Sequence, residues 1–186
     1  MSRLGEVADI VRGYPGFLPG LAVSIGVAVL ASRPVARALG SGRVLAGALV
    51  ISLGVVLAAT LTPSPFGPQR DIARTSLAES YRPACDLSRI GPAPILEYLT
   101  PDDTSLNVLL LVPLGATIGL LPSSRRKTAA LLLAAALPFV VEATQLFVVP
   151  LDRACQSADV FDNLFGLALG LTAGASAGWL LGRRAV

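Results

Sequence analysis

The chain has 186 residues, 53% of them hydrophobic and only 15% charged, with a mean hydropathy of +0.69. Soluble domains carry about a quarter charged residues, so this composition excludes an ordinary water-soluble fold and points to a lipid bilayer, with a single domain over residues 1–186. The net charge of +3 is dispersed between apolar runs rather than gathered in a patch, which excludes a nucleic-acid-binding surface.

Residues 1–13, MSRLGEVADIVRG, balance two arginines against two acids. Leu4, Val7, Ala8 and Val11 share one helical face, which suits a short interfacial helix or a frayed end. The first apolar run, Tyr14–Ser32, is long enough to cross a hydrocarbon core of about 30 Å. Its Val29-Leu30-Ala31 resembles a signal-peptide cleavage site, but the start without net positive charge and the arginines that follow favour a retained span. The loop Ser32–Arg43 then carries Arg33, Arg37 and Arg43 without an acid, and a second span covers Val44–Leu61.

Thr62–Thr104 is the one long hydrophilic segment, with four arginines, six acids and seven prolines. Proline at that density favours turns and extended chain, and ARTSLAES (73–80) is the best candidate for a short helix within it. Ser105–Leu121, the shortest span, contains Pro113. Ser123–Lys127 brings Arg125, Arg126 and Lys127; Thr128–Val149 is the fourth span. A short loop with Arg153 leads to the fifth span, Val160–Gly182, and the chain ends with Arg183 and Arg184 close by.

Backbone groups in lipid must bond within their own segment, so the spans are helices. Polar and apolar residues do not alternate, which argues against a barrel. The expected fold is all-α: a polytopic membrane protein with a bundle of about five transmembrane helices. Three purely basic segments read as cytoplasmic, placing the N-terminus outside and the C-terminus inside. Cys85 and Cys155 then both face an oxidising compartment, and a disulfide between them would fold the proline-rich loop over the helix ends.

Small residues recur at helical spacing. Gly166, Gly170, Gly174 and Gly178 form a stripe on the fifth helix, with Gly115 and Gly119 on the third. Such stripes let helix backbones approach closely, within a monomer or as the seam of a homodimer.

The unusual feature is polarity inside the spans. Glu142 lies seven residues below the outer end of the fourth span, about 10 Å along its axis. Gln145 sits one turn higher. Asn107 opens the third helix, and Asp159 and Asn163 form an i, i+4 pair at the outer end of the fifth, with Asp162 one step round. Arg153 lies directly above. Charges at such depth must be neutralised, paired or wet, and Arg153 is the expected cation for Glu142 or Asp159. The reading is one outer-facing pocket formed by Asn107, Glu142, Gln145, Arg153, Asp159 and Asn163. The bland alternative is a polar clip between helices. Pro138, one turn before Glu142, should bend the fourth helix and open room there.

NVLLLVPLG (107–115), EATQ (142–145) and R-x5-D-x3-N-x2-G from Arg153 to Gly166 resemble the signature of the VanZ-like family, over residues 105–182. Leu111 and Asp162 depart from it, where phenylalanine and an aliphatic residue are usual. The resemblance implies an envelope membrane protein associated with teicoplanin sensitivity.

With no histidine and two distant cysteines, neither a zinc site nor a serine triad fits, and no phosphate loop precedes a helix; no cofactor or metal is expected. Three function classes remain: a non-enzymatic protein whose outer pocket engages a lipid-linked or cell-wall ligand, a head-group hydrolase or transferase using Glu142 and Asp159, and a small transporter. The transporter is disfavoured because the inner halves of the spans hold almost no ionisable residue.

Overall fold

The computed structural model describes residues 16–63, 84–100, 102–148, 151 and 153–183. The interfacial segment at residues 4–11 and the short helix at 73–80 lie outside the described residues. Among the described residues five α-helices run back and forth: α1 (Phe17–Leu39), α2 (Arg43–Thr60), α3 (Asp103–Gly119), α4 (Arg125–Phe147) and α5 (Ser157–Arg183). A 3-10 turn, Glu97–Leu99, precedes α3. The all-helical bundle expected from the apolar runs is present, and α1, α2, α4 and α5 are long and apolar enough to cross a membrane.

α3 is the exception. Its 17 residues reach only about 25 Å, short of a hydrocarbon core of about 30 Å. Its position explains why that suffices: α3 packs against α2, α4 and α5, and contributes Leu111, Leu114 and Ile118 to a core shared with Val56, Ala134 and Leu167. A helix screened by its neighbours need not match the bilayer itself. On the outside, Leu30, Val44, Leu133 and Val140 are exposed, as lipid-facing residues should be.

Two helix pairs build the bundle. In α3 and α5 the glycines interlock: a Cβ on Gly119 would stand 2.5 Å from the Leu171 carbonyl, and one on Gly170 would stand 2.8 Å from Ala116 N. Gly166 and Gly174 press as closely on the Val108 and Ala116 carbonyls, while Gly178 meets only a Leu120 methyl at 3.8 Å. The stripe is thus filled by α3 of the same chain. α1 and α2 pair in the same way, with Gly20 against Ala58 and Gly54 against Ser24.

Helix boundaries differ from the sequence reading. The arginine-bearing segment 32–43 is helical to Leu39, and only Gly40, Ser41 and Gly42 form the turn. Arginine stems can lie along a helix while their charges reach water, so basic residues did not need a loop. α1 stops where Gly40 adopts φ +64°, a left-handed conformation that glycine takes without strain. α4 likewise begins at Arg125 behind Ser124, whose hydroxyl accepts from Lys127 N. The Lys127 ammonium turns back to the last carbonyl of α3, Gly119 at 2.7 Å, and to that of Leu121 just past its end at 3.2 Å. Pro34, Pro113 and Pro138 are all accommodated inside helices.

The charges separate along the bundle. Arg33, Arg37, Arg43, Arg125, Arg126 and Lys127 lie at one end, and every described Asp and Glu lies at the other. These are called here the basic and acidic ends.

Candidate functional site

At the acidic end, residues 84–100 form a strap over the start of α5. Cys85 and Cys155 are joined by a disulfide with Cα atoms 4.6 Å apart, as both cysteines' loop positions predicted. Beside it, Asp86 and Gln156 pair as a parallel bridge, with Asp86 N donating to Cys155 O (2.8 Å) and Ser157 N donating to Asp86 O (2.9 Å). The Ser157 hydroxyl donates to the carbonyls of Asp86 and Arg89. Asp86 itself faces solvent, and the Ser88 N–H holds its carboxylate below the ordinary value of 3.8.

The strap delivers a cation to α5. Asp162 is fully buried, at 0% exposure, and both its oxygens are bound by the Arg89 guanidinium, with Nη1 to Oδ1 at 3.1 Å. Tyr98 Oη adds a bond at 3.2 Å to Oδ1 and accepts from Ala93 N, while its ring stacks on Phe165 with centroids 5.1 Å apart. The hydrogen bonds to Asp162 raise the Arg89 pKa above its ordinary value against the opposing effect of burial. Sequence reasoning missed Arg89 and Tyr98. Asp162 was a usable signal, since an acid buried in a span demands a partner, but four arginines in a proline-rich loop gave no basis for choosing among them.

The polar residues singled out in the sequence occupy this same end. Glu142, 6% exposed, uses Oε2 to accept from Gln156 N at 2.7 Å, placing a carboxyl group at the start of α5, where the open N–H groups of the helix favour an acceptor. Gln145 is buried and its Nε2 donates to Thr60 O, the last carbonyl of α2. Arg153 donates from Nη2 to Ala59 O (2.7 Å) and from Nε to Thr62 O (3.2 Å), a cation at the end of α2. These three side chains satisfy the backbone groups that helix ends leave open. Asn163 is buried, its Nδ2 donating to Asp159 O one turn back. Asp159 is half-buried on the same face, near enough to Glu142 for their charges to interact. Asn107 is half-buried in the second turn of α3 and makes no side-chain hydrogen bond to a described residue. The α3 cap below it is complete: Asp102 Oδ1 accepts from Ser105 N, and the Ser105 hydroxyl accepts from Asp102 N.

Elsewhere, hydroxyls within the spans are spent locally: Ser52 on Ala48 O, Thr60 on Val56 O and Thr117 on Leu114 O. The chemically equipped region is therefore the acidic end, where α2, α4, α5 and the strap meet.

Such an arrangement defines a class: a multi-pass helical membrane protein whose buried ionisable groups collect at one end beneath a disulfide-tied strap. The chain belongs to the VanZ/LLP1 family, which matches residues 49–181, from within α2 almost to the end of α5. No curated protein and no solved structure matches it.

Proposed function

We propose that the chain is a non-enzymatic protein of the cell envelope whose acidic end faces outward and engages a lipid-linked or cell-wall ligand, thereby changing sensitivity to glycopeptides such as teicoplanin. The observation that carries this reading is the burial of Glu142, Asp162 and Asn163 at one level, under a strap held by Cys85–Cys155. Buried ionisable groups in spans are costly, and their usual reason is function. The outward orientation rests on the basic end, whose arginines and lysine belong on the cytoplasmic side, and on the disulfide, which suits an oxidising compartment.

The test is expression in a glycopeptide-sensitive bacterial host. Teicoplanin sensitivity should shift with the wild-type chain, and Asp159→Asn should abolish the shift. Arg43→Gln, an exposed change at the basic end, should leave it intact. An unchanged inhibitory concentration on expression of a correctly inserted wild-type chain would refute the proposal.

A further inference from the structure

Three hydrogen-bond acceptors at the acidic end receive no hydrogen bond from a described residue. Asn163 is 4% exposed, and its Oδ1 has no hydrogen-bond partner. The orientation of this amide is fixed, because Nδ2 donates to Asp159 O at 2.8 Å and a flipped group would set oxygen against oxygen. The bond draws the carboxamide back toward the acidic end, onto the face of α5 that carries Asp159. The Asp159 carboxylate accepts no hydrogen bond from a described residue, and Glu142 uses only Oε2, on Gln156 N. Glu142 and Asp159 are close enough to repel each other, and Asp103 and Asp162 add negative charge around Asp159, while the guanidinium of Arg153 near both carboxylates and that of Arg89 near Asp159 offset part of it.

The donors at this level are engaged elsewhere. Gln145 gives its Nε2 to Thr60 O, Arg153 gives Nε and Nη2 to the end of α2, and Arg89 binds Asp162. An anionic phosphate would bring further acceptors to a place already short of donors. A metal ion fits no better, since among the described residues no three Asp, Glu or Cys ligands come together. What complements two carboxylates and a buried amide oxygen is a positively charged group with several N–H bonds.

Resting on the outer-pocket reading above, we infer that the ligand presents a primary ammonium, its three N–H bonds shared by Asn163 Oδ1, the Asp159 carboxylate and Glu142. The same ammonium chemistry is found on an aminophospholipid head group and on the free amine of a cell-wall peptide. In both, the ammonium itself is a donor and asks for no donor from the protein.

Native mass spectrometry of the full chain in detergent tests this with phosphatidylethanolamine, phosphatidylcholine and phosphatidylglycerol as probes, and with free ethanolamine as competitor. Phosphatidylethanolamine should be retained about tenfold more tightly than phosphatidylcholine, whose trimethylated nitrogen keeps the charge but has no N–H. Asp159→Asn, which preserves shape, should remove that preference, and so should Asn163→Leu if its melting profile shows a folded chain. Displacement by ethanolamine would support recognition of the amine whatever its source, and failure of ethanolamine to displace would support a lipid-borne one. Equal retention of the ethanolamine and choline lipids, or preference for phosphatidylglycerol, with sensitivity to Asp159→Asn would overturn the ammonium inference and leave the pocket standing. Retention of all three lipids unaffected by either substitution would overturn both.

Discussion

Arg89→Ala isolates the energetics of the strap. The substitution leaves the Asp162 carboxylate at 0% exposure with Tyr98 as its remaining donor, at 3.2 Å. Removing one partner of a buried ion pair costs about 3–5 kcal/mol, because the survivor stays charged and unsolvated. The Arg89 side chain is 26% exposed, so water already weakens the pair, and Tyr98 persists; about 3 kcal/mol is the expected loss. Asp162→Asn removes the charge but keeps groups that can bond Arg89 and Tyr98, and should cost about 1 kcal/mol, the scale of one hydrogen bond. In the double variant no charge is buried, so Arg89→Ala should cost clearly less in the Asp162→Asn background than alone, with a coupling of about 2 kcal/mol. Equilibrium unfolding in mixed micelles, read by circular dichroism, measures all three variants. An Arg89→Ala protein within about 0.5 kcal/mol of wild type, or a double variant as unstable as the two losses summed, would refute the claim that Asp162 depends on this arginine.

Other contacts give sharper comparisons. Gly166→Ala, Gly170→Ala and Gly174→Ala should each cost about 1–3 kcal/mol through backbone overlap with α3, while Gly178→Ala, which would make only an ordinary contact with the Leu120 methyl, should be neutral or stabilise by up to about 1 kcal/mol; equal effects at all four positions would contradict the seam. Cys85→Ser with Cys155→Ser opens a closure spanning 70 residues and should cost about 2–4 kcal/mol in the same unfolding assay, with an unchanged stability counting against a structural role. The Asp102 carboxylate is held below its ordinary 3.8 by bonds from Ser105 N and the Thr100 hydroxyl. Its contribution to the α3 cap is complete above pH 3.8 and is lost as the pH falls through the lower folded-state midpoint. An NMR titration of that carboxyl with a midpoint at or above 3.8 would contradict the capping box.

What the sequence made legible follows from which signals are local. A run of apolar residues announces a span by itself, so all five helices were visible, including the short α3. The glycine repeat likewise told which face of α5 meets another backbone. Two cysteines in loops at one end left little choice of pairing. Helix ends were read less well, because arginines at Arg33 and Arg37 mark proximity to water rather than the end of a helix. Within the polar set, sequence gathered Glu142, Gln145 and Arg153 near one end of the bundle, but it could not show that their bonds go to Gln156 N, Thr60 O, and the Ala59 and Thr62 carbonyls. Backbone acceptors at a helix end have no signature in residue type. The Arg89–Asp162 pair, separated by 73 residues, was hidden for a related reason: neither periodicity nor spacing connects a proline-rich loop to the sixth residue of a helix.

The junction at Asp86 and Gln156 has a mechanical meaning. A disulfide, a two-sided backbone bridge and a buried ion pair splice residues 85–89 to the first turns of α5, and the glycine seam locks α5 to α3. A load applied to the strap is therefore transmitted along α5 and α3 together. Among the described residues, the α1–α2 pair receives it through the bundle core and the handles that Gln145 and Arg153 place on the end of α2. Whatever grips the strap pulls on one half of the bundle first, and those two side chains set how firmly the other half follows.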